Sequence, residues 1–308
     1  MAEISAKAVA ELRKATGCGM MECKNALKAT DGNFDEAVKY LRERGLAVAA
    51  KKADRIAAEG VVDILKDGDF TAMVEVNAET DFVAKNEDFQ KFVKNVLAAI
   101  IASNPADVEA LKAVKIPGSE QTVGEALVEK IATIKENMSI RRFVLAKGVT
   151  STYIHGQGQT GVIVVFDTDV ADKEGFAEYA KNIALQVAGA PVPAGYTTKD
   201  EVPASVIDEE KAIIMATIKN DESNAKKPDN IIEKMAVGRL GKFFSANCLV
   251  EQEYVKDDSM TVAKYTDATA KALGGKIAIK TFYRFEKGEG LAKREDNFAA
   301  EIASMIKQ

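Results

Sequence analysis

Residues 60–100 read GVVDILKDGDFTAMVEVNAETDFVAKNEDFQKFVKNVLAAI, and residues 148–187 read GVTSTYIHGQGQTGVIVVFDTDVADKEGFAEYAKNIALQV. Both carry the same succession: a strand-like run, a glycine-containing turn, a second strand-like run, a short polar connector and a helical stripe. The helices align at Phe89 with Phe176, Phe92 with Tyr179, Val96 with Ile183 and Ile100 with Val187. In the first of them, apolar residues stand at 89, 92, 93, 96, 97, 100 and 101, the spacing of one buried helix face. Further on, TVGEALVEKIATIKENMSIRRF (122–143) aligns without a gap to TVAKYTDATAKALGGKIAIKTF (261–282). That adds a helix and a third strand to each copy. The repeat predicts an α+β protein with two duplicated subdomains, each a three-stranded antiparallel sheet covered by helices.

Working outward, residues 1 to about 50 read as three short helices. Ser5 caps the first, which carries Val9 and Leu12, and the glycines of TGCGM (16–20) break it. The second offers Met21, Ala26 and Leu27 for packing. The third offers Phe34, Val38 and Leu41, with Gly45 as its stop and a charged linker over 47–60. So small a unit buries little area and needs a partner or another domain to lean on. The second copy carries an insertion that opens on GAPVPAGYTTKDEVP. Two helical patterns follow, with Ile207, Ile214 and Ile218 in one and Ile232, Met235, Ala236, Leu240 and Phe243 in the other. They form either an antiparallel hairpin that projects from the body or two core helices on the second sheet. The expected division is 1–55, a three-helix module; 56–147, subdomain one; 148–288, subdomain two with the insertion at about 190–248; and 289–308, a C-terminal module.

Composition narrows the chemistry. A net charge of -5 disfavours nucleic acid as a direct partner. No apolar run reaches the ~18 residues of a membrane span, and the N-terminus lacks a signal-peptide core, so a cytoplasmic protein is expected. With one histidine, His155, at a hairpin edge, His-rich metal sites and a nucleophilic triad are disfavoured. Cys18, Cys23 and Cys248 read as reduced, buried or half-buried thiols, and a Cys18 or Cys23 nucleophile has no visible base. GQGQTG (156–161) has the glycine spacing of a dinucleotide loop, but a strand follows it where that chemistry needs a helix, so the glycines serve a hairpin turn. IRR (140–142) reads as a solvated strand edge. No cofactor, metal site or catalytic residue is expected, which favours a binding protein.

Phe82 stands out within VNAETDFVAKNEDF. It falls between a strand and a helix, and the corresponding TDVADKEGF of the second copy has no aromatic there. A ring needed to close the shared scaffold should occur in both copies. Asn86 is a natural N-cap for the following helix and would stiffen the connector. Two readings stand: a core ring near an element boundary, or an apolar tip meant for another molecule.

ELRKATGCGMMECKNAL, VNAETDFVAKNEDF, ENMSIRRF, YIHGQGQTGV, EKMAVGRLGKFF, QEYVKDDSMTV and RFEKGEG, in that order, closely resemble the bacterial elongation factor Ts family. The first fifty residues are also similar to a ubiquitin-associated three-helix module. The resemblance implies a guanine-nucleotide exchange factor that binds elongation factor Tu in its GDP-bound and nucleotide-free forms, displaces magnesium and promotes GDP release. It implies that Thr80, Asp81, Phe82 and Val83 form the magnesium-dislocating loop. It further implies that Arg13, Met20, Met21, Lys24, Ile134, His155 and Val255 make other partner contacts, and that a homodimer or two-to-two complex could use the helical hairpin. Lys256 and Cys18 depart from residues common in relatives, methionine and alanine. The alternative from the residues alone is a non-catalytic scaffold that binds through its N-terminal helices.

Overall fold

A computed structural model describes residues 4–221, 223 and 227–292. Three helices open the chain: α1 (Ala6–Thr16), α2 (Met20–Ala29) and α3 (Phe34–Lys52). The Ser5 side chain accepts from the Ala8 N–H and Gly17 ends α1 in the left-handed region, as the sequence suggested. Val9, Leu12, Cys18, Cys23, Ala26, Leu27, Ala37 and Leu41 form their small core. Met21 and Phe34 do not join it and stand exposed. Gly45 does not stop α3. The helix runs on to Lys52, and Gly45 lies against a later helix, where a Cβ would stand at ordinary contact distance, 3.4 Å from Val128 and 3.6 Å from Ala132. This close approach, with the Arg42–Glu125 ion pair, seats the small unit against the rest of the protein. The linker shrinks to the residues between Lys52 and Glu59.

The two copies follow. In the first, β1 (Glu59–Asp67) and β2 (Phe70–Ala78) lead through a helical turn, α4 (Asp81–Ala84), to α5 (Glu87–Ser103), α6 (Val108–Lys112), α7 (Val123–Ile134) and β3 (Met138–Lys147). In the second, β4 (Val149–His155) and β5 (Thr160–Thr168) lead directly to α8 (Phe176–Gly189). The insertion helices α9 (Ala204–Asn220) and α10 (Asp229–Asn247) come next, then β6 (Glu253–Tyr254), β7 (Asp257–Thr261), α11 (Val262–Leu273) and β8 (Ile277–Glu286). Both main sheets are antiparallel with the middle strand second in sequence, β1-β2-β3 and β4-β5-β8. The duplication reaches the details. Each middle strand has a register shift at the corresponding place, Glu75/Val76 and Val165/Phe166. Thr122 and Thr261, aligned in the sequence, cap α7 and α11 through the same hydroxyl-to-third-amide bond.

Strand alternation sorts the core into layers. Val61, Ala72, Val74 and Val76 pack under the Phe89–Phe92–Val96–Ile100 face of α5 and under α7. Val162, Val164 and Phe166 pack under Phe176, Tyr179, Ile183 and Val187 of α8. The opposite faces meet each other, Val62, Met73 and Ala146 against Ile163 and Val165. The order is therefore helices, sheet, sheet, helices. GQGQTG forms the predicted hairpin turn, and its last glycine has a second use. A Cβ on Gly161 would come within 2.5 Å of Val62 and 2.9 Å of the Met73 sulfur, where the two sheets face each other. Gly161→Ala should destabilise by about 1–3 kcal/mol through overpacking. Urea titration checks this, and an unchanged midpoint would show that the sheets can separate freely.

The insertion is an antiparallel helical pair with a core of its own: Ile218, Ile232 and Ala236 buried, Ile214, Met215 and Met235 packed around them. Lys211–Glu233 (2.6 Å) and Lys219–Asp229 (2.8 Å) tie its flanks. Residues 195 and 196 hydrogen-bond to the Asn247 carbonyl, so the chain leaves and re-enters the body at one point. That is the geometry of an excursion, not of two helices laid on the second sheet. Most of the expected C-terminal module, 293–308, lies outside the described residues. Among the described residues no helix is long and apolar enough to cross a membrane.

The IRR segment is a correction. β3 is an edge strand, but Arg141 and Arg142 are half-buried rather than solvated. Arg141 Nη1 and Arg142 Nε donate to the two oxygens of fully buried Glu75, at 3.0 and 2.7 Å. A carboxylate on the middle strand cannot be left uncompensated in the interior, and it draws both guanidinia inward.

Candidate functional site

The connector around Phe82 is not an open loop but one capped helical turn. The Thr80 hydroxyl accepts from the Val83 N–H, and the Lys85 N–H closes the turn on the Phe82 carbonyl. Val83 and Ala84 are buried in the first core. Asn86 then caps α5, accepting from the Asp88 and Phe89 amides at 2.8 and 3.2 Å, as its sequence position predicted. The Gln90 amide reaches back to the Ala84 carbonyl. Upstream, both the Thr80 N–H (3.0 Å) and its hydroxyl (2.8 Å) donate to the Glu136 carboxylate. Phe82 alone is left out, with 80% of its surface exposed. An aromatic ring so exposed just before the buried Val83 and Ala84 settles the first question: Phe82 is not a core residue.

Asp81, beside it, is exposed and pairs with Lys85 at 2.7 Å. The Lys85 ammonium, with Lys287 farther off, holds the Asp81 carboxyl below its ordinary range. Asp81, Ala84 and Lys85 line a cleft of about 440 Å³ whose other wall is the Gly156–Gln159 hairpin turn and Lys287. The turn adjoins His155, which is exposed at the end of β4 with its Nδ1 3.1 Å from the Tyr153 hydroxyl. The structure therefore brings the Phe82 turn and the His155 hairpin to one edge.

The remaining expected residues fall into three places. Met20 and Met21 are exposed in the first turn of α2, with Lys24 one turn on, and Arg13 is exposed at the end of α1. Ile134, at the end of α7, is half-buried and packs on the first core. Val255 is exposed in the β6–β7 turn, well anchored by its neighbours. Tyr254 stacks on Tyr265 with ring centroids 4.3 Å apart, the Val255 N–H donates to Gln186, and Lys256 bonds Asn182. Val255 does not line the cleft beside Asp81.

A sequence profile described as "Elongation factor TS" matches residues 79–289. The chain is 47% identical over 308 residues to the elongation factor Ts of Syntrophotalea carbinolica, covering 99% of this chain and all of that one. It is 46% identical to that of Trichlorobacter lovleyi and 45% to that of Symbiobacterium thermophilum, each over 98% of both chains. The chain belongs to the elongation factor Ts family. Membership makes it a translation elongation factor, and the profile covers the Phe82 turn, the His155 hairpin and Val255 together.

The thiols of this elongation factor Ts chain are enclosed. All three cysteines are free and buried, and burial pushes the Cys18 and Cys248 thiols up, away from the thiolate a nucleophile needs. Cys18 sits in the core of the N-terminal helices, where a small apolar residue is what the space requires. Glu136 is the residue that sequence reading missed. It lies 56 positions from Thr80, so no local pattern connects them.

Proposed function

We propose that this protein is a guanine-nucleotide exchange factor that binds elongation factor Tu–GDP, displaces magnesium and promotes GDP release. One observation carries the reading: a ring with 80% of its surface exposed rides on a turn whose other residues are capped, buried or ion-paired. A rigid mount lets an apolar wedge enter a partner with little ordering cost. Phe82 is the wedge, with Thr80 and Val83 holding its turn and Asp81 as polar neighbour. Arg13, Met20, Met21 and Lys24 form a second contact surface on the N-terminal helices. Ile134, His155 and Val255 supply further contacts, Ile134 only by its exposed edge. The division into an N-terminal module, two subdomains and a C-terminal module belongs to the same reading, as do a cytoplasmic location and self-association through the helical hairpin.

No covalent step is needed. The factor binds the nucleotide-free form of its partner better than the GDP form, and by linkage each ligand weakens the other by the same ratio. Accelerating release about a thousandfold takes about 4 kcal/mol off the barrier. Burying one aromatic side chain contributes about 1.5–3 kcal/mol, so the other contacts supply the rest. Release of fluorescent GDP from elongation factor Tu, with excess unlabelled nucleotide, tests this. Acceleration of about a thousandfold at saturation is expected. Tight binding with no acceleration would overturn the proposal in favour of a scaffold.

A further inference from the structure

Residues 135–137 join the end of α7 to β3, and nearly every polar group in them reaches outside its own element. The Lys135 ammonium lies 3.6 Å from Glu22 in the first turn of α2, and the Lys135 carbonyl accepts from Lys52 at the end of α3. Glu136 takes both Thr80 donors. The Asn137 N–H donates to Glu79 at 2.6 Å, and its side-chain amide donates to the Ala53 and Arg55 carbonyls. Arg55 in turn reaches the same Glu79 oxygen. The segment thus touches the N-terminal helices on one side and the foot of the Phe82 turn on the other.

The duplication supplies an internal control. In the gapless alignment Lys135 and Glu136 correspond to Gly274 and Gly275. Lys135 adopts φ 68° and Gly274 φ 69°, the same left-handed cap, which a glycine takes without strain and a lysine does not. At the next position the second copy has no room for any side chain: a Cβ on Gly275 would lie 2.2 Å from Val170. That copy closes its connector on the Lys276 backbone. The Thr168 hydroxyl donates to the Lys276 carbonyl, and the Lys276 N–H donates to Asp169. The scaffold therefore closes without a lysine and a glutamate at these positions. They occur only in the copy that carries Phe82.

We infer that Glu136 is a positioning residue for exchange, and that the Lys135–Asn137 segment fixes the Phe82 turn in register with the exposed face of the N-terminal helices. This rests on the exchange-factor reading, in which both surfaces must engage one partner at once. The carboxylate is suited to the task because it accepts from both Thr80 donors, and a glutamine at 136 offers only one oxygen.

The test uses the full chain with Glu136→Gln, Thr80→Val, their combination, and Thr80→Ser, which keeps both donors. In the free protein, amide hydrogen exchange over residues 80–86 should quicken about tenfold in Glu136→Gln and Thr80→Val, with the middle of α5 unchanged. In stopped-flow GDP release, the maximal stimulated rate should fall about tenfold in both, with the half-saturating concentration within about twofold of wild type. The double variant should be no slower than the slower single one, because the two groups act as a unit, and Thr80→Ser should restore the rate. Unchanged amide exchange in both variants overturns the inference, and if Glu136→Gln misfolds, unchanged exchange in Thr80→Val alone overturns it. So does quickened amide exchange with a wild-type release rate. If the wild-type protein does not accelerate GDP release, the exchange-factor reading falls instead, and the free-protein measurement still decides whether Glu136 holds the turn.

Discussion

Phe82→Ala is expected to slow factor-stimulated GDP release about thirtyfold, corresponding to about 2 kcal/mol of lost aromatic burial in the partner. The folded chain should hardly notice the change. The ring is exposed and belongs to none of the buried clusters, and surface substitutions of that kind stay within about 0.5 kcal/mol. Alanine also suits a helical turn at least as well as phenylalanine. Thermal unfolding should therefore coincide with wild type while the stopped-flow trace does not. That separation matters, because a substitution that loosened the turn could mimic loss of the wedge. Phe82→Leu refines the experiment. It keeps an apolar tip of smaller area and should recover part of the rate. A wild-type rate in Phe82→Ala would remove the ring from the mechanism.

The sequence made the repeat legible because its signal is local and doubled. Helix stripes such as 89–92–96–100 and the paired threonine caps at 122 and 261 follow from spacing alone, and both copies repeat them. What it did not reveal are features created by contacts across the fold. Gly45 looks like a stop, yet α3 runs through it alongside α7. Gly161 looks like a turn residue until a second sheet lies 2.5 Å from its missing Cβ. The connector at Phe82 looks like a loop because four residues are too few to show helical periodicity, yet Thr80 caps a full turn there. The candidate site was legible in the same uneven way. Phe82 was found by its absence from the second copy. Its support was not, since Glu136 is joined to Thr80 only through the tertiary structure.

Glu75→Ala should be the most damaging single substitution for stability, costing about 3–5 kcal/mol. Glu75 is fully buried on the middle strand and accepts from four donors: both guanidinia, the Asn77 amide and the Gly288 N–H. Arg142 also holds Glu289, and Arg141 holds the Glu289 carbonyl. The carboxylate therefore fastens the end of β8 and the residues beyond it onto the first sheet. Removing it strands two half-buried cations and a buried N–H, and a fall of roughly 10 °C in Tm is expected for a chain of this size. Glu75→Gln keeps the volume and one acceptor oxygen, and should lose less. Acid separates charge from shape. Burial alone would push the Glu75 carboxyl up, but the Gly288 N–H and the Arg141, Arg142 and Asn77 donors outweigh it and hold it below its ordinary value. A carboxyl lowered in the folded state stabilises fully above its unfolded pKa, and that contribution is lost as the pH falls through the folded pKa. The Tm gap between wild type and Glu75→Gln should accordingly be constant from neutrality down to the ordinary carboxylate range and narrow below it. A gap that stays constant into strong acid would mean that shape, not charge, makes the latch. The functional consequence follows from position. Lys287 sits inside the fastened segment, pairs with Glu59 and lines the cleft beside Asp81. Unfastening Glu75 should therefore disturb the edge that carries Phe82 as well as the stability of the fold.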